Sequence, residues 1–70
     1  MAKDIRIGAR IRKRRQELGM NQQELAERVG VHASSVISWE SGRHFPRRYL
    51  GKIEAVLGVS LDDEPEPASA

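Results

Sequence analysis

With 70 residues, 39% of them apolar, 31% charged and none cysteine, the chain is sized for one compact domain whose core must hold without disulfides or thiolate-bound metal. The net charge of +2 hides an asymmetry: residues 1–60 carry twelve basic and six acidic side chains, a net +6, and Asp62, Asp63, Glu64 and Glu66 follow with no basic residue among them. No apolar run approaches the roughly 18 residues of a membrane span, and the amino terminus has no basic-then-apolar signal pattern, so a soluble cytoplasmic protein is expected.

Asp4 is positioned to cap a first helix in which Ile7, Ile11 and Leu18 recur at helical spacing, with Ala9 alongside and Gly19 as the stop. Arg15 stands in that stripe where an apolar residue is expected. The run Arg10, Arg12, Lys13, Arg14 and Arg15 reads either as a solvated helix face or as an electrostatic footprint for a polyanion. Asn21 to Glu24 spells a capping box, so a second helix begins near Gln22, turns Leu25, Ala26 and Val29 inward, and stops at Gly30.

A third helix is expected over residues 33–41, with Val36 and Trp39 facing inward and Gly42 closing it. His32 is a poorer cap than Ser or Thr would be. After Phe45 and Pro46, a fourth helix from about Arg47 puts Leu50, Ile53, Val56 and Leu57 on one side until Gly58. Val59, Ser60 and Leu61 suggest one more capped turn, and the acidic, proline-rich residues 62–70 have little to bury and are expected to be a disordered tail. Strand-like alternation is absent. The expectation is an all-α domain over residues 1–61, with four helices and a fragment of a fifth.

Two of these helices are joined by a very short turn, with Ala26 small where the next helix must approach and Gly30 free to take a left-handed conformation. That is the pattern of a helix-turn-helix unit. The stretches "IGARIRKRRQELGMNQQELAERVGV", "VISWESGR" and "LGKIEAVLGVS", in this order and spacing, resemble the DNA-binding domain of the lambda-like phage repressor and Cro family, the xenobiotic-response-element regulators. The resemblance covers about Ile7 to Leu61 and implies a compact lambda-repressor-like domain of four to five helices.

By position, the resemblance implies that Ala33, Ser34, Ile37 and Ser38 face base edges in the major groove, while Gln22, Arg43, Arg47 and Arg48 hold phosphates. A thin leading face suits a groove roughly 12 Å wide. Ala33 and Ile37 have no hydrogen-bonding group and are left to shape, to a methyl group or, for Ile37, to a protein partner; Ser34 and Ser38 can bond to a base edge or a phosphate. The resemblance also implies an ion pair between Arg15 and Glu40, the alternative being that Arg15 joins its neighbours at phosphate.

The function expected is a sequence-specific, double-stranded DNA-binding transcriptional regulator, a repressor, acting as a weak homodimer on a pseudo-palindromic operator. The competing reading is an antitoxin-like or other protein-interaction module on the same fold. No carboxylate pair, nucleophile–base arrangement or metal spacing points to an enzyme, a cofactor or a bound metal, and His32 and His44 are too isolated for ligation.

Overall fold

The computed structural model describes residues 3–61, which form α1 (Lys3–Glu17), α2 (Gln22–Val29), α3 (Ala33–Glu40) and α4 (Leu50–Leu57), with no strand among the described residues. The expected acidic tail lies outside the described residues. Asp4 falls inside α1, one residue past its first described position.

Ile7 and Ile11 of α1 meet Leu25, Ala26 and Val29 of α2, Val36 and Trp39 of α3, and Ile53 and Leu57 of α4 in one core, closed by Leu61. Each large aliphatic side chain buried there contributes about 1.5–3 kcal/mol relative to exposure. Leu18 departs from the expected stripe: α1 ends at Glu17, the chain then turns through Gly19 at φ 73°, and Leu18 is left 42% exposed.

Gly8 is the residue of α1 that admits α3. A Cβ there would collide with the carbonyl oxygen of Trp39 and sit 2.9 Å from that of Glu40, so α1 meets the last turn of α3 backbone to backbone. Arg14 links α1 to α4 from the other side, its Nε donating to the Leu57 carbonyl at 2.9 Å and so satisfying an acceptor at the helix end.

The fourth helix starts three residues later than the sequence suggests. Residues 47–49 form a turn behind buried Pro46, with the Arg47 amide on the Phe45 carbonyl and the Tyr49 amide on that of Pro46. The Tyr49 ring lies 5.7 Å from that of Trp39, and Tyr49 takes φ −106° and ψ 4°, outside the helical region. Tyr49 thus stands as the cap of α4, its carbonyl accepting from the Ile53 amide at 2.8 Å, and the helix begins at Leu50. Past α4, residues 59–61 form no helix. Gly58 turns left-handed at φ 70°, and Leu61 folds back with its N–H on Glu54 Oε2 at 2.8 Å and its carbonyl accepting from Arg10 Nη1.

Candidate nucleic-acid interface

The α2–α3 unit is built from its turn outward. Asn21 Oδ1 accepts from the Glu24 amide at 2.7 Å while the Glu24 carboxylate accepts from the Asn21 amide at 2.9 Å, which fixes the start of α2. At its other end Gly30 takes φ 95°, and the amides of Gly30 and Val31 both donate to the Ala26 carbonyl, at 2.8 and 2.9 Å. Gly30, Val31 and His32 alone separate the two helices. With no side chain larger than a methyl at fully buried Ala26, α3 can lie close across α2.

From within, α3 is held by a polar cluster. Arg15 Nε donates to Glu40 Oε2 at 2.6 Å and Nη2 donates to Oε1 at 3.1 Å, a two-point fork that matches the planar guanidinium to the carboxylate. Arg15 is only 8% exposed, and its Nη1 donates to the Met20 carbonyl at 2.8 Å. The hydrogen bond to Glu40, helped by the opposite charge and opposed by burial, raises the guanidinium pKa above its ordinary value. Gln22 completes the cluster, its Nε2 donating to Glu40 Oε1 at 3.1 Å. One carboxylate on α3 therefore gathers donors from α1 and from the first turn of α2, and no buried side-chain nitrogen or oxygen among the described residues lacks a partner.

The edge of α3 turned away from buried Val36 and Trp39 carries Ser34 and Ile37, both exposed, and Ala33 and Ser38, half-buried. These four follow from the spacing once Val36 and Trp39 are turned inward. Beyond the helix, Ser41 caps through its amide to the Ile37 carbonyl, and the Arg43 amide donates to the Ser38 carbonyl at 3.0 Å, which fixes the Arg43 backbone beside the same edge. Arg43 is exposed, as are Arg47 and Arg48 in the turn before α4. Gln22, by contrast, is half-buried with its amide on Glu40.

The structure also sorts the basic run on α1. Arg15 is interior, Arg14 serves the end of α4 and pairs with Glu17 at 3.3 Å, Arg10 reaches the Leu61 carbonyl, and Arg12 and Lys13 are exposed. The sequence holds no signal for the role of Arg14, which depends on where α4 ends. Gly8 does carry a signal, as a glycine inside an otherwise good helical pattern. Among the described residues no group of three or more His, Asp or Glu is arranged to hold a metal ion, and no helix is long and apolar enough to cross a membrane.

The sequence pattern of the helix-turn-helix family matches residues 11–63. An uncharacterised HTH-type transcriptional regulator of Methanothermobacter thermautotrophicus is 49% identical over 49 residues, covering 69% of this chain and 71% of that protein. Multiprotein-bridging factor 1 of Candida albicans is 37% identical over 59 residues, covering 83% of this chain but only 39% of the factor, so the chain spans about two fifths of that relative. Among solved structures, the biofilm master regulator SinR in complex with DNA superposes with a TM-score of 0.70 at 40% identity, over 79% of this chain and 90% of SinR's.

Proposed function

Because the chain belongs to the Cro/C1-type helix-turn-helix family, we propose that it is a sequence-specific, double-stranded DNA-binding transcriptional regulator, acting in the cytoplasm as a repressor. The observation that carries this reading is the asymmetry of α3. Its inner side is buried through Val36 and Trp39 and its last turn is braced by Arg15 and Gln22 on Glu40, while its outer edge bears nothing bulkier than Ile37 and has exposed arginines after it. A helix of this kind enters a major groove by that edge, with Ala33, Ser34, Ile37 and Ser38 facing bases.

Arg43, Arg47 and Arg48 hold phosphates in this reading and set the register without reading sequence. Gln22 spends one amide hydrogen on Glu40 and has a second to offer a phosphate. A single module of this size covers roughly 600–1,000 Å² on DNA, so useful affinity comes from a weak homodimer on a pseudo-palindromic operator with half-sites about one helical turn apart. The similarity to SinR, solved with DNA, supports the same docking. No catalysis, cofactor or metal enters the proposal.

Binding to duplex DNA should weaken with salt at a log–log slope of about −5 to −7 for a dimer neutralising roughly six to eight phosphates. A slope near zero would refute the reading. One protomer bound to an isolated half-site at full affinity would refute the dimer.

A second reading, a protein-interaction module, draws on the exposed Ile37 and on the likeness to proteins named multiprotein-bridging factors. It predicts little affinity for duplex DNA at any salt concentration.

A further inference from the structure

Three large apolar side chains are exposed among the described residues: Ile5, Leu18 and Ile37. Ile5 has its Cγ1 against Gly42, 2.8 Å from where a Cβ of that glycine would stand, and Leu18 belongs to the turn that ends α1. Only Ile37 stands on the outer edge of α3, 49% exposed. Its neighbours there are Ala33, Ser34 and Ser38, all shorter, so Ile37 reaches furthest from the helix. Branching at Cβ leaves it one strongly preferred χ1 in a helix, which makes it a stiff probe.

We propose that Ile37 is a specificity-determining residue that selects a thymine in each half-site by packing on its 5-methyl group. The inference rests on the DNA-binding reading above. In the major groove the thymine methyl is the largest apolar group, while the donors and acceptors that mark the other base edges are ones Ile37 cannot satisfy; against adenine, guanine or cytosine it would cover polar groups without bonding to them. The thymine methyl is the apolar group that matches it best. A protein partner fits less well, because Ser34, Ser41 and Arg43, exposed nearby in sequence, are polar, whereas the core of a protein interface needs several apolar residues together.

The test uses the full chain. Selection from random duplex DNA yields the preferred half-site, and each thymine in it is then replaced in turn by deoxyuridine, which removes only the methyl. We expect one position at which affinity falls about four-fold per half-site, the effect of one buried methyl, and we expect Ile37→Ala to abolish the difference there between thymine and uracil while Trp39 fluorescence reports an intact fold. Methyl sensitivity at no position, or sensitivity that survives in Ile37→Ala, overturns the inference and leaves DNA binding standing. A pool that stays random after selection instead overturns sequence-specific regulation, and this inference with it.

Discussion

The Arg15 guanidinium grips the Glu40 carboxylate at two points, 2.6 and 3.1 Å, and so fastens α1 to the last turn of α3. Both side chains are nearly excluded from solvent, at 9% and 4% exposure. Removing either partner leaves the other charge buried and unpaired, and Arg15→Ala or Glu40→Ala should each cost about 3–5 kcal/mol. A domain of this size has only about 3–9 kcal/mol to lose. Urea titration followed by Trp39 fluorescence should find both variants less stable than the native chain by that amount. A loss under about 1 kcal/mol would mean that the pair behaves as a surface contact.

The pH dependence of this pair follows from the raised pKa of Arg15. A base whose folded-state pKa lies above its unfolded value contributes its stability fully below the unfolded value and loses it only as pH rises through the folded one. For a guanidinium that window lies far above neutrality. The stability gap between the native chain and Arg15→Met should therefore be the same at pH 7 and pH 9.5, measured by urea titration in an osmolyte-stabilised buffer. A gap that narrows at the higher pH would contradict the assignment.

The same substitution should have opposite signs at two helical glycines. At Gly8 a methyl meets the carbonyl oxygens of Trp39 and Glu40, which are backbone and cannot swing away, whereas at Gly51 it meets nothing within 4 Å. Gly51→Ala should stabilise by about 0.4–1 kcal/mol through reduced freedom of the unfolded chain. Gly8→Ala gains the same helical preference but should lose about 1–3 kcal/mol by forcing α1 from α3. Thermal melts of the two variants side by side decide it.

How far these relationships are legible in the sequence depends on whether they are local. The capping box of Asn21 and Glu24, the Gly30 turn and the inward Val36 and Trp39 each follow from spacing within a few residues, and so the four helices and the exposed edge of α3 can be read directly. Leu18 cannot, because helical spacing does not say where α1 ends. Spacing also misplaces the start of α4, because residues 47–49 form a turn closed by the Tyr49 amide on the Pro46 carbonyl, with Tyr49 as the cap. Gly8 and Arg14 gain their roles only from the approach of α3 and α4. A basic run in sequence does not reveal that two of its arginines bond to protein acceptors on other helices.

In the proposed complex, Arg43 is the residue that would separate positioning from reading. Its backbone is fixed by the bond to the Ser38 carbonyl, and its side chain is exposed. In the proposed complex Arg43→Ala should weaken binding to every duplex sequence alike and reduce the magnitude of the salt slope by about one for each phosphate left without its arginine. Ser34→Ala or Ser38→Ala should instead change which sequence is preferred and leave the slope in place. Fluorescence anisotropy over a salt series, on preferred and scrambled duplexes, separates the two outcomes.

Leu61 and Ile37 are both large aliphatic residues, and the fold gives them opposite environments. Leu61 is 1% exposed, its N–H held by Glu54 of α4 and its carbonyl by Arg10 of α1, so it plugs the end of the core between those helices where no further helix follows among the described residues. Leu61→Ala leaves a cavity that the surrounding helices can only partly close, and should cost about 2–5 kcal/mol. Ile37→Ala removes an exposed side chain and should change stability by no more than about 0.5 kcal/mol. Affinity for DNA should divide the other way. At a temperature where both variants are folded, Leu61→Ala should bind as the native chain does, whereas Ile37→Ala should bind a thymine-bearing half-site about four-fold or more weakly. Melting temperature and affinity measured on the same two preparations would show whether burial alone predicts which leucine or isoleucine serves the fold and which serves the groove.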